Sequence, residues 1–251
     1  LPEYYSPWHT TSKPVAILGY NEPEEASQGN ISMADAIALW PNLEQSDVPL
    51  VSPVPVNPFN GWLNDFYTQA GARGYRIDYT AVHWYGSPDA SALIGLLQSV
   101  YNTWGRPVWL TEFSTVDWGG TATWTEENNY RFLSEFLWRA EDLAWLKRYA
   151  IFSFNDAPPG SPWERSGPTG SMFNGDGTTF TAFGELYAAW DGDRARRDRT
   201  PYFIQTKKHP PNYACKQRRG GFDKLNKPKR LGFLKWFFGN HAHAANWFRL
   251  T

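Results

Sequence analysis

Ala16-Ile17-Leu18-Gly19-Tyr20-Asn21-Glu22-Pro23 and Pro107-Val108-Trp109-Leu110-Thr111-Glu112-Phe113 are the two stretches that decide the fold. Each reads as a buried apolar strand whose last residues include a glutamate. Buried parallel strands read as near-continuous apolar runs, because both faces of the sheet are covered. In a parallel α/β barrel, side chains at the carboxyl ends of the strands line the site. One glutamate at a strand end is often only a salt-bridged cap. Two of them, one inside Asn21-Glu22-Pro23, fit a pair that cleaves glycosidic bonds, one carboxyl as acid and the other as nucleophile or base.

Strand and helix signals alternate outward from these stretches. Tyr4 to Trp8 reads as a short strand, and Val15 to Gly19 as the next. Ser32, with Asp35 three residues on, opens a helix in the manner of a capping box. That helix carries Met33, Ile37 and Trp40 on its apolar face. Pro49 to Val54 is a strand limited by prolines. Trp62, Leu63, Phe66 and Tyr67 form a helical stripe, and Ile77 to Tyr85 is a strand. Leu93, Ile94, Leu97, Val100 and Tyr101 show the spacing of a core-facing helix. Pro107 to Phe113 is followed by the longest helix, read over Glu126 to Arg148. Its buried side is expected to hold Tyr130, Leu133, Phe136, Leu137, Ala140 and Ala144. Tyr149 to Phe154 is the last strand of this set. Such alternation predicts a parallel sheet.

Length and composition bound the answer. The 251 residues suffice for one (β/α)8 barrel and are few for two full domains. The 14 Trp, 13 Tyr and 16 Phe exceed what core filling needs, and aromatic faces suit the C–H faces of sugars. Cys215 is the lone cysteine, which excludes an intrachain disulfide. No apolar run has membrane-spanning length. Leu1 opens without a charged-then-apolar leader, so no signal peptide is read. The net charge of -1 conceals a division. Residues 1–193 hold 9 Lys and Arg against 23 Asp and Glu, and residues 194–251 hold 15 against 2. The basic run over 194–217 reads as a solvated linker. Its cations are not set among aromatics in any nucleic-acid-binding module.

Three motifs, Gly19-Tyr20-Asn21-Glu22-Pro23, Ala81-Val82-His83-Trp84-Tyr85 and Trp109-Leu110-Thr111-Glu112-Phe113, stand in the order found in glycoside hydrolase family 128. The chain resembles these glycosyl hydrolase catalytic core proteins, which cut β-1,3-glucan. Met33 to Pro41, Arg148 to Phe152 and Phe180 to Tyr187 extend the resemblance, which covers roughly Pro2 to Asp191. The resemblance implies a (β/α)8 TIM barrel with two strands ahead of those found near the amino terminus. The basic tail offers candidates for both. Arg218-Arg219-Gly220-Gly221-Phe222 resembles the family's opening strand, Leu231 to Phe237 its helix, and His243 to Phe248 the second strand. The expectation is one catalytic barrel over 1–251 in circularly permuted order. Residues 1–193 would give strands 3–8 of the family, 194–217 a linker, and 218–251 strands 1–2.

The resemblance also implies roles. Glu22 is the expected acid/base and Glu112 the expected nucleophile of a retaining hydrolase. Asn21 matches the residue that bonds the sugar 2-hydroxyl. His83 and Tyr85 share a strand face and are expected at the site, with Tyr85 bonding Glu112. Trp8, Trp118, Trp163, Asn246 and Trp247 are the expected sugar contacts. The family often carries Trp where Ile151 stands. Period-2 alternation puts Val108, Leu110 and Glu112 on the barrel interior, with Trp109 and Thr111 outside. Glu22 is expected to hold its proton longer than Glu112 does. Glu24 and Glu25 read as solvent residues, and Glu126 and Glu127 suit a helix N-terminus. Asp156 and Glu164 could line the cleft. His241 and His243 lack a carboxylate partner, and neither a metal nor a cofactor is expected. The expected substrate is a β-glucan poly- or oligosaccharide, acted on endo-wise by a monomer outside the cell or in its wall. Neither nucleic acid nor membrane is an expected partner. The competing readings are an inactive carbohydrate-binding barrel and a retaining hydrolase of mannan, xylan or β-1,4-glucan.

Overall fold

The computed structural model describes residues 14–119, 124–152, 170–174 and 177–190. Five strands and five helices occur among them. The strands are β1 (Ile17–Leu18), β2 (Leu50–Val51), β3 (Thr80–Gly86), β4 (Val108–Thr115) and β5 (Leu146–Ile151). The helices are α1 (Met33–Glu44), α2 (Trp62–Ala72), α3 (Ala90–Trp104), α4 (Glu126–Ala140) and α5 (Ala182–Ala189). Every strand pairing is parallel. β1 pairs with β2, and β3, β4 and β5 follow one another. A parallel bridge from Val51 to Tyr79 joins the two sets, with Ser52 N–H donating to the Tyr79 carbonyl at 2.8 Å. The result is an α/β fold with its strands in chain order. The sheet does not close among the described residues. The expected strand over Tyr4 to Trp8, the linker and the tail strands lie outside them.

The helices begin where their sequences provide caps. Ser32 Oγ accepts from Asp35 N–H at 3.1 Å, and the Asp89 carboxylate accepts from Ser91 and Ala92 N–H. Thr125 and Asn128 form a reciprocal capping box. Such side chains satisfy donors that the first helical turn leaves unpaired. Gly105 ends α3 at φ 64°, in the left-handed region that costs glycine nothing.

Two apolar layers flank the sheet. On its outer face Val82, Val108, Leu110, Phe113 and Tyr149 pack against Leu93, Leu97, Phe132, Phe136 and Leu137 of α3 and α4. On its inner face Ala16, Val51, Val54, Ala81 and Trp109 form a separate cluster. This reverses the expected faces of β4. Val108 and Leu110 lie under the helices, and Trp109 lies inside, with the Arg148 guanidinium 5.9 Å from its ring centroid. The cause is one inserted residue. Val82 pairs with Leu110, but the next residue, His83, pairs with Glu112. The same slip appears against β5, where Leu110 pairs with Tyr149 and Phe113 with Ile151. A bulge therefore separates Leu110 from Glu112, and a one-residue slip exchanges the faces.

The expected helix to Arg148 ends eight residues early. Asp142 N–H donates to Arg139 and Leu143 N–H to Ala140, closing tight turns after α4. Trp145 stacks on Tyr101 at 5.3 Å, and Ala144 is exposed. Leu146 then starts β5, three residues before the expected Tyr149. Asn129, which carried no apolar signal, is fully buried on α4.

Candidate active site

The site is built at the carboxyl ends of β1, β3 and β4. Beyond β1 the chain stays registered on β2. Asn21 bridges to Val54, Glu22 N–H donates to the Val54 carbonyl at 2.8 Å, and Val54 N–H donates to Tyr20. The turn then bends sharply at Glu22, whose φ is 40°. A non-glycine residue in this region is strained, and such strain gathers at functional positions. Gly29 lies so close to this turn that a Cβ would stand 2.3 Å from the Asn21 carbonyl oxygen. The Glu24 carboxylate accepts from Val56 N–H at 2.7 Å and from Asn60 Nδ2 at 2.8 Å. Glu24 thus ties the turn to the loop after β2 rather than merely facing solvent.

β3 keeps regular alternation. Ala81 lies on the inner face, and His83 and Tyr85 meet the glutamates there. Val82 packs outward, with Trp84 stacked on Phe132 at 5.4 Å. On β4 the bulge turns Glu112 inward beside them. His83 is 2 % exposed and lies between the two glutamates. Its Nδ1 stands 2.9 Å from Glu22 Oε1 and its Nε2 stands 3.6 Å from Glu112 Oε1. Tyr85 Oη donates to Glu112 Oε2 at 2.5 Å. The Tyr85 ring meets Phe152 edge-on at 6.0 Å. Trp118 is 57 % exposed, yet its Nε1 donates to the Tyr85 carbonyl at 3.0 Å. Its ring is thus tied to the β3 backbone at Tyr85 while much of it stays open to solvent.

Burial pushes the Glu112 carboxyl up, since a charge loses solvation there. A positive charge on His83 and the Tyr85 hydrogen bond work the other way, and the Glu22 charge adds to the rise. Burial and the Glu112 charge lift the Tyr85 phenol well above its ordinary value, so it stays a donor.

Glu22, His83 and Glu112 each offer one ligand atom, and the three lie within 4.8 Å of one another. These residues could hold a metal, but both ring nitrogens of His83 already face carboxylates. A metal bound there would have to displace the 2.9 Å contact between His83 Nδ1 and Glu22 Oε1.

The structure brings together Glu22, Glu112, Asn21, His83, Tyr85 and Trp118. Trp8, Trp163, Asn246 and Trp247 lie outside the described residues, as do Asp156, Glu164, His241 and His243. Phe152 and the β4 bulge were missed. Phe152 had a signal, as an aromatic just past the end of an apolar strand. The bulge had none, because Val108, Trp109, Leu110 and Phe113 are all apolar and mark no face.

Comparison with known proteins identifies the family. A profile described as the glycosyl hydrolase catalytic core matches residues 5–187. A solved endo-β-1,3-glucanase of GH128 subgroup I from Amycolatopsis mediterranei, in complex with laminaritriose and laminaribiose, is 32% identical. The match covers 70% of this chain and 72% of that one, with a TM-score of 0.59. A GH128 subgroup VII oligosaccharide-binding protein from Trichoderma gamsii is 23% identical, covering 74% and 70% at a TM-score of 0.58, and shares the fold. The alkali-sensitive linkage protein 1 of Schizosaccharomyces pombe is 36% identical over 111 residues, 41% of this chain. The match spans 20% of that curated relative's length. With its parallel α/β sheet and paired strand-end glutamates, the chain belongs to the glycosyl hydrolase catalytic core family, GH128, whose solved members include β-1,3-glucanases.

Proposed function

We propose that this chain is a retaining endo-β-1,3-glucanase that works with Glu22 as acid/base and Glu112 as nucleophile. The observation that carries the reading is the spacing of the two carboxylates, which offer oxygens within 4.8 Å of each other around a buried histidine. Retaining pairs stand roughly 5–5.5 Å apart, and inverting pairs leave about 6.5–9.5 Å for a water. β-1,3-Glucan is the proposed substrate because the 32% identical GH128 relative holds laminari-oligosaccharides.

In this mechanism Glu112 attacks the anomeric carbon while Glu22 protonates the departing oxygen. A glycosyl ester forms on Glu112. Glu22, now a base, takes a proton from water, which attacks the same carbon and releases the sugar with its configuration retained. Tyr85 stabilises the ionised Glu112 before attack and as it leaves. His83 acts through the two glutamates, since its buried ring offers little surface to a sugar. Asn21, exposed at the strand end, is the proposed partner of the sugar 2-hydroxyl. Trp118 is the sugar platform. No metal or cofactor takes part in this scheme.

The acid limb of the pH–rate profile follows from this arrangement. Glu112 must be ionised to attack, and burial raises its carboxyl. Activity therefore rises with pH through a midpoint above the ordinary carboxylate range. The Tyr85 hydrogen bond favours the ionised form, so Tyr85→Phe should move the limb upward. It should lower kcat about 10- to 100-fold at mildly acidic pH and less at neutral pH. An unmoved limb would count against this role.

The barrel, the tail and the setting belong to the same proposal. Residues 218–251 supply two strands and a helix that close a (β/α)8 barrel, drawn by their positive charge onto an acidic body. A truncation after Asp193 should then be insoluble or molten by near-UV circular dichroism. A stable, active truncation would remove the tail from the fold. The enzyme acts as a monomer outside the cell or in its wall. A second reading, an oligosaccharide-binding barrel, has support from the T. gamsii protein of the same fold and from the open Trp118 face. Reducing-end release from β-1,3-glucan, β-1,4-glucan, mannan and xylan separates the readings. Release from β-1,3-glucan alone is expected. Binding without release would favour the second reading.

A further inference from the structure

We infer that Thr111 is the positioning residue that sets Glu112 in the site. The inference rests on the reading of Glu112 as nucleophile. Without the bulge, alternation from Trp109 inward and Leu110 outward would send Glu112 under the helices, among Phe132 and Phe136. The extra residue falls between Leu110 and Glu112 against β3, and between Leu110 and Phe113 against β5. Thr111 occupies that step. It is 6 % exposed, and its Oγ1 donates to the Val82 carbonyl at 3.2 Å. That bond crosses from β4 to β3 at the step where the register slips, between Val82 and His83. One hydroxyl therefore fixes the bulge to the strand that carries His83 and Tyr85. Glu112 is then set against both, and against Glu22. A bulge re-aims a side chain in this way at many sites. Glu22 at the end of β1 and His83 and Tyr85 on β3 are the titratable groups that act on Glu112 among the described residues.

Thr111→Val keeps the branched shape and removes the donor. It should lower kcat on laminari-oligosaccharides about 10-fold or more, with KM changed less than about threefold. Its acid limb should move upward as the Tyr85 bond to Glu112 weakens. Thr111→Ser, which restores the hydroxyl, should recover most of the rate and the original limb. A purely structural role would lower the melting temperature and leave the limb in place. Parental kcat and limb in Thr111→Val would overturn the inference. Should that variant fail to fold, Thr111→Ala gives the same comparison. If the parent turns over no β-1,3-glucan, the functional reading fails while the inference stays testable. Carbon-13 titration of the Glu112 carboxyl should then still differ between parent and variant, and equal midpoints would sink it.

Discussion

Glu112→Ala should lose at least about 10⁴-fold in kcat on laminari-oligosaccharides, equivalent to roughly 5.5 kcal/mol of transition-state stabilisation. The nucleophile is the one group in the scheme that no neighbour can replace. Asn21 is a neutral amide, and Tyr85 stays protonated because burial and Glu112 raise its phenol. The alanine variant leaves a space beside Tyr85 and His83 that a small anion can enter. Added azide or formate should therefore restore part of the activity, and azide should yield a glycosyl azide of inverted configuration. Glu112→Gln tests the same environment through stability. The folded Glu112 carboxyl is raised, so it binds protons more readily in the native state than in the unfolded chain. Its favourable contribution is present at low pH and is lost as pH rises through the folded midpoint. Above that midpoint the buried charge costs stability. Glu112→Gln should consequently melt higher than the parent at neutral pH, and the difference should shrink on acidification. Equal melting at both pH values would mean that the carboxylate carries no burial cost.

Glu22→Gln should divide substrates by their leaving groups. General acid catalysis contributes about 10²- to 10⁴-fold, and most where the departing oxygen is a poor leaving group. The variant should lose on the order of 10³-fold on laminari-oligosaccharides. It should lose far less in the first step of an activated aryl glycoside, whose phenolate leaves without a proton. The second step still needs Glu22 as base, so the glycosyl-enzyme should accumulate and appear as a burst. Equal losses on both substrates would show that Glu22 does not supply the proton. The chain is strained at Glu22, with φ 40°, and the Glu22 carboxyl meets His83 Nδ1 at 2.9 Å, across the ring from Glu112.

The sequence was informative where the chemistry of a residue type restricts its place. Apolar runs ending in Glu22 and Glu112 identified two strand ends, and both meet in space. His83 and Tyr85, two apart on one strand, indicated a shared face, and the donation from Tyr85 to Glu112 follows from it. The helix cap at Ser32 stands where a short polar side chain can satisfy free N–H groups. Failures came where neighbouring residues carried the same character. Val108, Trp109 and Leu110 are apolar on both faces, so alternation could not be phased. Glu112 was placed inside from a register that put its neighbours on the wrong side, and the bulge at Thr111 is what turns it inward. Ala144 continued the expected helical period, but it lies exposed in a turn, and no glycine or proline marks the end at Ala140. Burial of His83 between two carboxylates is a property of three strands together, which no local pattern encodes.

Mass spectrometry of a trapped glycosyl-enzyme identifies the nucleophile directly. A 2-deoxy-2-fluoro laminaribioside with an activated leaving group slows both steps, and it slows turnover of the glycosyl ester most. One added disaccharide per chain is expected, mapped by peptide digestion to the carboxylate of Glu112. An adduct on any other residue, or steady turnover of laminari-oligosaccharides with no adduct at Glu112, would contradict it.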